Sequence, residues 1–110
     1  MKMLLDDQRK KLLQNSKQQN GSTDFHPVVK FFTPWSSMTW LITEMDEDGR
    51  LFGLCDMGVQ CPELGYVMLD EILSMRGPFG LRIERDRHFT PNKLISQYAD
   101  EARLKGHIIS

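Results

Sequence analysis

No apolar run in this chain approaches the roughly 18 residues that a membrane-spanning helix needs, which excludes a helical integral membrane protein. Residues 1–5 are too short a stretch, and too soon broken by Asp6-Asp7, to act as an export signal. Cysteine is scarce: Cys55 and Cys61 are the only two, and without an export signal they fit reduced thiols in a cytoplasm. A surplus of charge is lacking too. The formal net charge of −1 gives no general pull toward nucleic acid or anionic lipid. There is no internal repeat and no catalytic motif.

What is present is ordinary for one soluble domain: 110 residues, 40% apolar and 26% charged, enough for one real core. Charge is mildly uneven, since Lys2, Arg9, Lys10, Lys11 and Lys17 outnumber Asp6 and Asp7 in the first twenty residues. The chain is organised around two strand-like halves, 38–45 and 51–56, which concentrate Trp40, Leu41, Ile42, Leu51, Phe52 and Leu54. Between them Asp46-Glu47-Asp48-Gly49 is a short acidic loop ending in the glycine that hairpins favour.

In order, residues 3–18 read as an amphipathic helix with a stripe of Leu5, Leu12 and Leu13, and with Leu4 close to it. Residues 15–24 are polar and read as a linker. Residues 25–33 form a strand, in which Pro27 is tolerated at an edge or a first position. In 38–45 alternation sends Trp40 and Ile42 to one face and Leu41 and Met45 to the other. Both faces are apolar, so this strand is central and covered on both sides. Gly53 within 51–56 marks a bulge or a close backbone approach.

Residues 57–65 read as an irregular loop and 66–69 as a short extended piece. Residues 69–76 read as a helix with a poor cap at Met68, and 81–89 as a last strand. Thr90-Pro91 is a helix start, with Leu94, Ile95, Tyr98 and Ala102 as the buried stripe and Gly106 as the stop. We therefore expect an N-terminal helix and polar linker at 1–24 and a single domain at 25–110. Its class is α+β, with a mostly antiparallel sheet of about four strands and the order α-β-β-β-α-β-α.

Several residues carry chemistry. Cys55 and Cys61, with His26 and His88 elsewhere, have poor spacing for zinc, so no metal or cofactor is expected. A nucleophilic Cys–His pair would need one of the two thiols beside His88. Arg82, Glu84, Asp86 and His88 share one parity of the last strand. The sharper reading of that row is a small metal-dependent hydrolase or nuclease, with Asp56 joining Glu84, Asp86 and His88. The reading we prefer is a solvated edge face with opposite charges paired across it. The 61–66 loop, with Glu63, Leu64 and Tyr66, is the better binding surface because loops carry function disproportionately. Trp35, in a turn, reads as a lid on the core. Arg9, Lys10 and Lys11 are the residues that would touch nucleic-acid phosphates in a weak nucleic-acid-binding module, although net charge does not support it.

The succession Pro27-Val28-Val29-Lys30-Phe31-Phe32-Thr33-Pro34, Thr39-Trp40-Leu41 and Phe52-Gly53-Leu54-Cys55-Asp56 is distinctive. So are Pro62-Glu63-Leu64-Gly65-Tyr66, Arg76-Gly77-Pro78, Glu84-Arg85-Asp86 and His88-Phe89. Together with Gln8-Arg9, Leu12-Leu13 and Tyr98-Ala99-Asp100-Glu101-Ala102-Arg103, they resemble a family catalogued as domain of unknown function 2958 across the whole chain. Trp35-Ser36-Ser37-Met38 departs from the family's small, polar segment, and Met68 stands where a capping serine is usual. The resemblance implies a protein of bacterial plasmids, integrative elements and phages, and it carries over no catalytic residue. The resulting expectation is a non-enzymatic binding or regulatory protein in a bacterial cytoplasm. It would be of the counter-defence kind (anti-restriction or anti-CRISPR), or accessory to DNA processing, acting on a protein or protein–nucleic acid complex. Its surface would join the 57–66 loop to the polar row of Arg82, Glu84, Asp86 and His88.

Overall fold

Along the chain come helix α1 (Asp6–Ser16), strands β1 (Val29–Phe32), β2 (Thr39–Met45), β3 (Arg50–Asp56) and β4 (Glu63–Met68), and helix α2 (Leu69–Ser74). A 3-10 turn (Pro78–Gly80), strand β5 (Glu84–Arg85) and helix α3 (Ile95–Lys105) follow. The computed structural model describes residues 2–18 and 24–110, so residues 19–23 of the expected linker lie outside the described part. The five strands make one antiparallel sheet in the order β4-β3-β2-β1-β5. The class is the α+β one expected, with one strand more.

The β2–β3 hairpin closes through the acidic loop. The Asp46 carboxylate accepts the amides of Asp48 and Arg50, each at 2.9 Å, so the loop's own side chain sets its path. β2 is central, as its two-sided apolarity requires. On one face α1 and α2 bury Leu12 and Ile72 against Val29, Phe31, Trp40, Ile42 and Leu51. On the other, α3 lays Ile95, Tyr98, Ala99 and Ala102 over Leu41 and Leu54. Trp40, at 1% exposure, is the largest side chain in the core, and truncating such a residue to alanine costs about 3–5 kcal/mol.

Met45 departs from simple alternation, because it lies on the Trp40 and Ile42 face. The register with β3 shifts between Ile42 and Glu44, leaving Thr43 as the bulged residue, and every side chain after it changes face. Gly53 sits opposite. A Cβ there would stand 2.0 Å from the Leu41 carbonyl oxygen, so the close approach expected at this glycine is real. The bulge also frees the Thr43 carbonyl, which accepts the Asn15 side-chain amide at 2.9 Å. Asn15 is thus a buried helical residue and not the start of a linker. In the helix stripe Leu4 and Leu12 are buried, whereas Leu5 faces water.

Three further boundaries differ from expectation for identifiable reasons. Glu63, Leu64 and Gly65 belong to β4 and not to a loop, because Gly65 pairs with Gly53 and Tyr66 with Phe52 along β3. The last strand is cut to Glu84–Arg85. Its partner β1 is only four residues long, and past it the Asp86 carboxylate accepts the His88 amide at 2.8 Å and turns the chain. Helix α3 starts at Ile95, not at Thr90-Pro91, because its first amides find distant partners. Ile95 donates to the Phe25 carbonyl at 2.8 Å and Ser96 to the Asp24 carboxylate at 3.0 Å, while Gln97 accepts the Leu94 amide at 2.8 Å. Gly106 ends it with φ +81, as expected.

Candidate functional site

The acidic and imidazole groups that a hydrolytic centre would need are spread across the sheet. Asp56, at the end of β3, is 2% exposed and accepts the Gly58 amide at 2.9 Å and the Ile108 amide at 3.1 Å. It ties the β3–β4 loop to the C-terminal segment. β5, which starts the row of Glu84, Asp86 and His88, lies three strand spacings from β3, roughly 14 Å at the usual sheet repeat. The carboxylate of Asp86 holds the backbone of His88 and, at 3.6 Å, the ammonium of Lys30, rather than orienting the imidazole. Glu84 and Arg82 line one shallow pocket of about 340 Å³ with Met3, Leu73 and Ile83. Glu84, Asp86 and His88 line another, of about 230 Å³, beside Phe32. Among the described residues no three His, Cys, Asp or Glu side chains gather to hold a metal ion.

Both cysteines are held as thiols. Burial pushes the Cys55 thiol up to about 11. Cys61 is exposed and donates to the Glu63 carboxylate at 3.4 Å, whose hydrogen bond and negative charge raise it. A nucleophilic cysteine needs the opposite shift. His88 lies just past β5, at the sheet edge opposite β4, and His26 stands exposed ahead of β1.

The binding residues expected at 61–66 fare differently. β4 is the edge strand of the sheet, and among the described residues no strand pairs with its outer side. It displays Glu63, Leu64 at 37% and Tyr66 at 65% exposure. The Tyr66 ring is nonetheless fixed: its centroid lies 5.0 Å from that of Phe52, and the Arg50 guanidinium sits 4.8 Å above it. Such a preset aromatic loses little freedom when a partner covers it. Nearby, burial raises the Glu44 carboxyl, while the amides of Arg50 and Asp48 hold the Asp46 carboxyl below its ordinary range. The edge is widened by Met57 and Val59, at 44% and 70% exposure, on the preceding loop.

β4 and β5 are opposite edges of the sheet, so the 57–66 segment and the row of Arg82, Glu84, Asp86 and His88 do not form one surface. Arg9, Lys10 and Lys11 are exposed on α1, and Lys10 and Lys11 share a shallow groove with Asp6 and Asp7, whose charges oppose a phosphate. Trp35 is half-buried and packs against the core as a lid. Two exposed apolar residues, Val59 and Phe79, have no periodicity to announce them, since both lie in glycine-marked turns. For Phe79, the signal is an aromatic ring placed between Gly77-Pro78 and Gly80.

Residues 3–109 match the model of a family described as a protein of unknown function (DUF2958). The chain belongs to the DUF2958 family. No curated protein and no solved structure matches it. The motifs that carry the DUF2958 likeness divide between core and surface. Phe31, Trp40, Leu41 and Leu54 are buried. Pro62-Glu63-Leu64-Gly65-Tyr66 and Arg76-Gly77-Pro78 instead run along the open edge and into the exposed turn.

Proposed function

We propose that this DUF2958 protein is a non-catalytic binding protein that works by occupying a macromolecular partner through the open β4 edge. The observation that carries this reading is the pairing of an edge strand, whose outer side no strand among the described residues covers, with Leu64 and a preset Tyr66. Edge strands recruit partner chains through main-chain hydrogen bonds, and their exposed side chains select among them. Asp56 and Asp86, the carboxylates a hydrolase would use, are instead spent on backbone amides. The resemblance to proteins of plasmids, integrative elements and phages supports a setting in the bacterial cytoplasm. The partner there would be part of a host defence system or of the element's DNA-processing machinery. No helix among the described residues is long and apolar enough to cross a membrane.

The test is affinity capture from a cell carrying the parent element, using the wild-type chain beside Leu64→Lys and Tyr66→Ser, each checked for a cooperative melt. Both substitutions should remove the specifically enriched protein while leaving a folded chain. An enriched set unchanged by either variant would contradict the assignment of the edge.

A further inference from the structure

We infer that the protein self-associates as a weak, closed dimer in which each copy inserts Phe79 into an apolar hollow of the other. Phe79 is fully exposed, with a relative accessibility of 103%, and its backbone sits at φ +59 and ψ 24. A bulky residue rarely adopts this left-handed conformation, and an outlier of this kind points to a use for the side chain it displays. The ring contributes nothing to its own core. The turn beneath it is nevertheless well fixed. Gly77 donates to the Leu81 carbonyl at 2.7 Å, Leu81 to the Pro78 carbonyl at 3.1 Å, and Arg76 pairs with Arg82 across the base. Gly77 also lies so close to Trp35 that a Cβ there would fall 2.3 Å from the indole.

The receptor is on the same chain. Between α2 and the sheet lies an open hollow of about 250 Å³, lined by Trp40, Cys55, Met57, Tyr66, Val67, Ile72 and Met75, with Glu71 among its walls, so it adjoins the β4 edge at Tyr66. An apolar cavity of about 150 Å³ already holds benzene, so one phenyl ring fits with room to spare. Methionines make such a wall adaptable to an entering ring. The charges are complementary as well. Arg76 and Arg82 flank the Phe79 turn, Arg76 with its guanidinium donating to the Leu73 and Met75 carbonyls at 3.0 and 3.2 Å, while the exposed Glu71 carboxylate, which accepts the Met68 amide at 3.1 Å, borders the hollow.

Placement makes the contact reciprocal. Met75 lines the hollow and Phe79 follows it by four residues, across Arg76 at the start of the turn, so little chain separates knob from hole. A two-fold axis beside them lets both rings exchange at once and closes the assembly, where a separated knob and hole would build open filaments. A nucleic acid is a poorer occupant, because the chain is at net −1 and Glu84 shares the pocket next to Arg82. Two rings and a few charges make a small interface, so the affinity belongs to the weak, micromolar class.

Sedimentation equilibrium from roughly 1 µM to 1 mM brackets that class. Wild-type chain should shift from monomer to dimer across it, whereas Phe79→Ser, which removes the knob, and Met57→Arg, which blocks the hole, should remain monomeric. Methyl-labelled Phe79→Ser retains the hollow, so adding unlabelled Met57→Arg should move its Met57 and Met75 methyl signals through the ring current of the entering phenyl. Adding unlabelled Phe79→Ser should leave them in place. A monomeric wild type at the highest concentration, a dimer that survives both substitutions, or methyl signals that ignore the added knob would each overturn the inference.

Discussion

Two neighbouring carboxylates of the β2–β3 hairpin show how each side chain's surroundings set its role. Glu44 and Asp46 lie two positions apart, yet their acidities move in opposite directions. Asp46 accepts two backbone amides, so its ionised form belongs to the fold and its carboxyl is held below the ordinary 3.8. Its stabilisation is present above that ordinary value and is lost as pH falls through the lowered folded value. Glu44 is pushed above the ordinary 4.5 by burial, so its ionisation opposes folding, and that cost grows as pH rises from 4.5 through the raised value. Asp46→Asn should therefore lower the melting temperature at neutral pH and converge on wild type in strong acid. Glu44→Gln should raise it at neutral pH and likewise converge in acid. Melting curves at several pH values check both signs.

At the scale of elements, the β2–β3 hairpin shows what local sequence dictates, since Asp46 and Gly49 carry their own turn chemistry. The bulge at Thr43 was not legible in the same way. It depends on a glycine in the facing strand, so alternation alone sent Met45 to the wrong face. Gly53→Ala would press a Cβ into the Leu41 carbonyl, and overpacking against backbone should cost about 3 kcal/mol. Urea unfolding measures it, and a cost under about 1 kcal/mol would mean that the bulge relaxes freely. The start of α3 escaped sequence reading for a related reason. Asp24 and the Phe25 carbonyl cap it from the far end of the chain, and no window around Thr90-Pro91 contains them. β4 was obscured by its glycine and by the preceding proline, although an edge strand accommodates both.

For the whole molecule, topology decides which candidate residues can cooperate. The row Arg82, Glu84, Asp86 and His88 was legible as a polar parity set. Its distance from Asp56 was not, because that follows from two intervening strands. The Glu63, Leu64 and Tyr66 set was legible as an exposed aromatic with flanking polar groups, and the sheet order makes it an open edge. The two sets lie on opposite margins, so one partner need cover only one of them. Amide hydrogen exchange on the captured complex, compared with the chain alone, tests the central claim most directly. Protection should rise across residues 63–68 and stay unchanged at 82–88; protection gained at 82–88, with β4 still exchanging as in the free chain, would contradict it.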